Sequence, residues 1–154
     1  MAFVIVQFLV PVFIYVGLPQ LLGAYRYRWV LGLACAVFMV SWWLPSPEID
    51  GQQTSFMTHF FGGGVFAALL GLYVKLVRGW RAVWRVEAAA LFMLVSSLGV
   101  LNELFEVVLY ANGLMPHGIG DTSWDLVANT AGAFSFYAGY TAGQAWRSRS
   151  DSTK

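Results

Sequence analysis

Long stretches with almost no ionisable charge limit what this chain can fold into. The stretches with few or no Asp, Glu, Lys or Arg are residues 1–25, 29–47, 51–74, 88–120 and 122–146. Within them the only such residues are Glu103, Glu106 and Asp125. A helix needs roughly 20 apolar residues to cross the hydrocarbon core of a bilayer. The pattern therefore favours membrane-spanning helices over a soluble globule.

The length of these stretches predicts an all-α fold, a polytopic bundle of about five transmembrane helices. We expect the spans near residues 3–23, 29–45, 56–75, 88–110 and 123–145. They form one transmembrane domain over residues 1–146, followed by a polar tail at residues 147–154. The composition agrees, because only 11% of the residues are charged, whereas about 25% are charged in a typical soluble domain.

The loops between the predicted spans alternate in charge. In the five-span arrangement, one side carries every basic residue of the chain: Arg26, Arg28, Lys75, Arg78, Arg81, Arg85, Arg147, Arg149 and Lys154. Short loops rich in Lys and Arg stay in the cytoplasm. The sequence therefore predicts that the N-terminus is outside and that the C-terminal tail is cytoplasmic.

Two further features exclude classes of function. The net charge is only +1, so no basic field indicates a nucleic-acid partner. The one cysteine, Cys35, excludes an internal disulfide and any metal site built from several cysteines. The partners that remain are membrane lipids and molecules that enter or contact the bilayer.

A few polar residues in or beside the spans are the candidate functional residues. They are His59, Glu103, Glu106, Asp121, Asp125 and Asn129. Ionisable groups within a membrane are costly, so each is a functional hypothesis by default. From the cytoplasmic start of the fourth span, Glu103 is about 22 Å and Glu106 about 27 Å along the helix. The others lie near the outer ends of the third and fifth spans, so we expect one shared site open to the outside.

The residue types of this site favour a cation. Carboxylates with one imidazole suit Mg²⁺, Ca²⁺, Mn²⁺ or Zn²⁺, and the candidate ligands are His59, Glu103, Glu106, Asp121 and Asp125. A bound metal ion activates water or holds a phosphate. Alternatively, a protonated glutamate and His59 act as an acid–base pair. The candidate catalytic residues are Glu103, Glu106, His59 and Asp125, with Asn129 as a further polar member of the site.

Structural roles explain several of the same residues. His59 can hydrogen-bond a helix end, and Asp121 precedes the fifth span, where an aspartate commonly caps the helix. Asp125 and Asn129 can form hydrogen bonds between helices. Glu106 lies shallow enough to be hydrated. The sequence leaves these readings open beside the functional ones.

The motifs around these residues resemble those of VanZ-like membrane proteins. That family has a His near the start of one helix, E-x-x-Q on the next and a D-v-x-x-N-t-x-G-a run on the last. Here the corresponding residues are His59 in THFFGGG, Glu103 in NELFE, and Asp125, Asn129 and Gly132 in DLVANTAGA. The resemblance covers roughly residues 55–140 and implies a multi-pass protein of the bacterial cytoplasmic membrane that acts in the cell envelope.

Two departures separate the chain from the VanZ-like pattern. Glu106 stands where that family has Gln, and Met115-Pro116-His117 stands where it often has an arginine before the aspartate. The chain is also similar to YjdF-like inner-membrane proteins in HF, E-L-x-E and D-T-x-W-D, here at 59–60, 103–106 and 121–125. Both departures make the site more acidic, which favours a cation as its ligand. Because of them, we do not extend to this chain the glycopeptide resistance that is associated with the VanZ family.

Three functions remain open from the sequence. The first is an envelope protein that uses metal-assisted chemistry on, or binds, a lipid-linked or amphipathic substrate. The second is a non-catalytic membrane module that binds a lipid or a partner protein. The third is an ion or proton carrier, which ranks lower because the inner halves of the predicted spans are apolar.

Overall fold

A computed structural model describes residues 8–49, 51–113 and 122–151. Its helices are α1 (Phe8–Leu22), α2 (Arg28–Ser41), α3 (Phe56–Arg78), α4 (Trp84–Ala111) and α5 (Thr122–Asp151). Two π-helical segments interrupt them, Phe13–Gly17 in α1 and His59–Val65 in α3. Between α2 and α3, the short strands β1 (Glu48–Ile49) and β2 (Gln52–Gln53) pair antiparallel. The prediction of a helical fold with five helices is confirmed.

Two of the described helices are long and apolar enough to cross a membrane. These are α3 with 23 residues and α4 with 28 residues. At 1.5 Å per residue they are about 35 Å and about 42 Å long, which exceeds the roughly 30 Å hydrocarbon core. The apolar helices α1 and α2 are shorter.

The helix ends differ from the predicted spans at two places. Helix α2 ends at Ser41 rather than at Pro45, and the proline itself disfavours a helical conformation at Leu44. Helix α5 continues to Asp151, so the beginning of the predicted polar tail is helical, and residues 147–150 are exposed. Residues 3–7 of the first predicted span and residues 152–154 of the tail lie outside the described residues.

Helix α3 is the central element of the packing. On one side Phe66, Leu69 and Tyr73 form a buried cluster with Val30 and Leu31 of α2. On another side its two alanines, Ala67 and Ala68, form a second buried cluster with residues of α4 and α5. A helix with buried residues on several faces holds its neighbours in fixed positions. Polar residues on α3, α4 and α5 can therefore meet at one place.

The glycine run at 62–64 allows α3 and α5 to pack backbone against backbone. A Cβ atom on Gly64 would lie 2.2 Å from the carbonyl oxygen of Asn129, and one on Gly132 would lie 2.0 Å from that of Phe60. Both distances are far below van der Waals contact. Only glycine fits at Gly64 and Gly132, and their contact sets the spacing of the two helices beside His59.

Candidate functional site

Asp125 lies on the buried face of α5 and is held by two residues of α3 and its N-terminal flank. The residue is 1% exposed. Oδ1 accepts a hydrogen bond from Ser55 Oγ at 2.6 Å, and Oδ2 lies 3.4 Å from His59 Nε2. Ser55 and His59 are four residues apart, so both can face α5. Asp125 is therefore fixed in position from two directions.

Glu103 ends a buried stripe along α4. The buried residues of that helix are Leu91, Val95, Gly99 and Glu103, and residues four apart lie on one helix face. Glu103 is 7% exposed, and its Oε1 atom has no hydrogen-bond partner among the described residues. A buried carboxylate oxygen without a partner is costly, so this atom marks a place where a ligand, ion or proton would be stabilising.

The structure brings His59, Glu103 and Asp125 together. One nitrogen of His59 and one oxygen of each carboxylate all lie within 4.8 Å of one another. The three residues come from the start of α3, the end of α4 and the start of α5. Three antiparallel neighbouring helices thus place one imidazole and two carboxylates at the same end of the bundle.

Asn129 lies one turn further along α5 and connects the same three helices. It is 3% exposed. A Cβ atom on Gly63 would lie 1.7 Å from Asn129 Oδ1, and one on Gly99 would lie 3.2 Å from its Nδ2. The amide therefore occupies the space left by a glycine of α3 and reaches a glycine of α4. Its Oδ1 has no hydrogen-bond partner among the described residues.

Other predicted residues lie outside this group. Glu106 is half-buried and accepts a hydrogen bond from Asn102 at 2.7 Å. It interacts electrostatically with His59, Glu103 and Asp125 but does not belong to the group within 4.8 Å. Glu106 thus lies beside the site. Asp121, predicted as a ligand or a helix cap, lies outside the described residues.

Sequence reasoning missed Ser55. The structure shows that it hydrogen-bonds Asp125, 70 positions away in the chain. Its spacing of four residues from His59 was an available signal, because that spacing places both on one helix face. The signal is weak, since a serine before a helix is commonly a cap.

The presence of Ser55, His59 and Asp125 does not make a serine nucleophile. In a catalytic triad the histidine contacts the serine hydroxyl and the aspartate orients the histidine. Here the serine hydroxyl donates to the aspartate itself. Ser55 and His59 instead hold one carboxylate between them, an arrangement typical of a supported ligand rather than of an activated hydroxyl.

The charges in the group need compensation. Two carboxylates packed together in a buried place repel unless a cation or a proton lies between them. A protonated His59 balances one of the two. Among the described residues no Lys or Arg forms an ion pair with Glu103. A divalent cation would compensate both carboxylates and would also use the free Glu103 Oε1.

Comparisons with models of known protein families, with curated proteins and with solved structures find no match to this chain. The resemblance to VanZ-like and YjdF-like proteins stays a prediction from the motifs around His59, Glu103 and Asp125.

Proposed function

We propose that this chain is a multi-pass protein of the bacterial cytoplasmic membrane that binds one divalent metal ion through His59, Glu103 and Asp125. The observation that carries the proposal is the meeting of three ligand atoms within 4.8 Å. One of the three residues, Glu103, is a buried carboxylate whose Oε1 has no hydrogen-bond partner among the described residues. The cell-envelope role implied by the VanZ-like resemblance belongs to the same proposal.

The spacing of the three side chains fits a metal ion. Ligand atoms bound at about 2.0–2.5 Å from one ion lie up to roughly 4–5 Å apart. The ligand atoms here lie within 4.8 Å of one another, so small side-chain rotations bring them to one ion. One imidazole with two carboxylates leaves coordination positions for water or substrate, as in catalytic rather than structural sites.

The ion would give the site its chemistry. A bound divalent ion polarises a phosphoryl or carbonyl oxygen, or makes a bound water more acidic. The chain's own residues hold the ligands: Ser55 and His59 fix Asp125. Glu106 lies beside the site and half-buried, where it can accept a proton from water or substrate. The site lies at helix ends, near the expected outer boundary of the bilayer, which suits the headgroup of a lipid-linked or amphipathic substrate.

Metal content tests the proposal directly. The protein is purified in detergent, loaded with Mn²⁺ or Zn²⁺, and washed, and the ions are counted by mass spectrometry. We expect about one ion per chain, and a large loss in Glu103→Gln and in Asp125→Asn, which keep side-chain size. Wild-type protein that retains well below one ion per chain after loading with either metal would refute the proposal.

Two further variants make the metal experiment specific. Glu48→Gln removes an exposed carboxylate that does not belong to the three-residue group, and it should retain the ion. Glu106→Gln should also retain it, because Glu106 lies outside the three-residue group. Equal loss of metal in Glu48→Gln and Glu103→Gln would show non-specific binding to surface carboxylates.

The orientation in the membrane is tested by labelling. In a Cys35→Ala background, Glu48→Cys and Arg81→Cys place single thiols in the loops before α3 and before α4. Positive loops stay in the cytoplasm, so an impermeant maleimide added to intact cells should label the Glu48→Cys variant and not the Arg81→Cys variant. The reverse pattern would place the metal site on the cytoplasmic side.

A non-catalytic membrane module is the second candidate. It is favoured by the way Asn129 fills the space beside Gly63 and Gly99, because small residues and amides commonly connect membrane helices. On this reading the polar residues hold helices together and bind no ion. Glu103→Gln protein would then lose thermal stability in detergent, and the wild type would retain no metal.

An ion carrier receives less support. Between the site and the other end of α4, the face that packs into the bundle carries Leu91, Val95 and Gly99. A transport path needs polar groups or water along its length. An apolar stripe next to the site gives an ion no such route towards the cytoplasmic loops.

A further inference from the structure

A second candidate site is a cavity between α3, α4 and α5 at the end of the bundle away from His59. Its volume is about 220 Å³. Its polar end carries Lys75 and Glu87, and His59 and Lys75 are separated by about 24 Å along α3 at 1.5 Å per residue. The cavity is therefore distinct from the proposed metal site.

Most of the cavity wall is apolar. Ala68, Leu91, Leu94 and Phe136 are among the residues that line it. Small-molecule sites are typically apolar clefts with a few polar groups at fixed places. The apolar part of this cavity suits a hydrocarbon chain.

The polar groups at the cavity already contact one another. Lys75 Nζ lies 2.7 Å from Glu87 Oε1, and the Tyr137 hydroxyl donates to Glu87 Oε2 at 3.3 Å. Lys75 Nζ also lies 5.5 Å from the centre of the Tyr140 ring. The ion pair between Lys75 and Glu87 has no net charge. The charge that selects a ligand must therefore come from residues around this pair.

The surrounding charge is basic. Trp80 lines the cavity, and Arg78 and Arg81 flank it in the chain, with Arg85 at the start of α4. All three arginines are exposed, and none forms an ion pair with a described residue. Basic groups at the cytoplasmic ends of membrane helices attract anionic lipid headgroups.

We propose that this cavity binds one acyl chain of an anionic phospholipid, with the headgroup phosphate held by the arginines of the α3–α4 connection. The proposal rests on the membrane placement in the proposed function. A bilayer supplies such molecules at the depth of the cavity, and their two parts match the two parts of the site. The apolar wall takes the chain, and the guanidinium groups take the phosphate.

Native mass spectrometry of the protein in detergent tests the proposal. The probe is an equimolar mixture of phosphatidylglycerol and phosphatidylcholine with identical acyl chains. We expect retained phosphatidylglycerol to exceed phosphatidylcholine by at least about fivefold, the contribution of one basic side chain near an anionic surface. Equal retention of both lipids by the wild type would overturn the proposal.

Three variants separate the parts of the site. Ala90→Trp fills the cavity, which Ala90 lines, and should lower retention of both lipids several-fold. Arg78→Gln with Arg81→Gln should reduce the preference for the anionic lipid by about fivefold to 25-fold. Arg147→Gln removes an exposed arginine of α5 expected on the same side and should leave the preference unchanged.

If Ala90→Trp does not fold, the double variant Arg78→Gln with Arg81→Gln still tests the proposal, because both arginines are exposed. An unchanged preference in that variant overturns the proposal. Alkaline extraction of membranes distinguishes a failure of the membrane placement from a failure of the lipid site alone. A chain that is extracted refutes the membrane placement and this site together, whereas an embedded chain without lipid preference refutes only the site.

Discussion

Replacing Gly64 by alanine tests the close packing of α3 against α5. A Cβ atom there would lie 2.2 Å from Asn129 O, 2.8 Å from Ala133 N and 2.9 Å from Gly132 Cα. All three are backbone atoms, which cannot rotate away as a side-chain end can. The two helices must therefore separate by about 0.8 Å to restore even a tight contact of 3.0 Å.

Gly71→Ala is the matched control on the same helix. A Cβ atom on Gly71 meets only Leu94 Cδ2 at 3.3 Å, and that methyl group can move. Both substitutions gain about 1 kcal/mol of helix propensity, so this gain cancels between them. Over-packing costs about 1–3 kcal/mol, and a clash with backbone falls at the upper end.

We therefore expect Gly64→Ala to be less stable than Gly71→Ala by about 3 kcal/mol. For a chain of this size that difference corresponds to roughly 6–12 °C in Tm. The assay is thermal unfolding in detergent, in which we measure the fraction of the protein that remains monodisperse. Because Gly64 lies close to His59, metal retention should fall as well. Equal Tm values for the two variants would refute the inferred backbone contact.

Two other predictions concern buried polar groups. Tyr73 is fully buried, and its hydroxyl donates to the carbonyl oxygen of Ala24. Tyr73→Phe should therefore lower the free energy of unfolding by about 1 kcal/mol, while the exposed Tyr25→Phe should leave it unchanged in the same thermal assay. Lys75→Met leaves Glu87 partly buried without its cation, so it should destabilise more than the double change Lys75→Met with Glu87→Leu. A double variant less stable than the single one would show that Glu87 does not depend on Lys75.

The helical fold could be read from the sequence because charge-free stretches of this length have few stable alternatives. The apolar segments predicted near 56–75 and 88–110 correspond to α3 and α4. The helix ends were less predictable, because α5 continues to Asp151 through polar residues, among which only the two arginines are good helix formers. A search for apolar stretches does not detect a helix that extends into polar residues.

The candidate site was only partly predictable. His59, Glu103 and Asp125 could be named because ionisable residues in apolar segments are rare and costly. In the sequence, Glu103 and Glu106 share a helix face because they are three residues apart, and only their expected depth distinguished them. Glu103 is 7% exposed, whereas Glu106 is half-buried and bonded to Asn102. The burial of each depends on how α4 is rotated against α3 and α5.

The sequence by itself determined the number of helices and the polar residues among them, because hydrophobicity and helical periodicity are local properties. Tertiary structure alone decided which polar groups meet. The contact of Ser55 with Asp125 joins residues 70 positions apart, and the fit of Asn129 against Gly63 depends on the close approach of two helices. Such contacts are set by helix rotation and spacing, which follow from packing over the whole bundle.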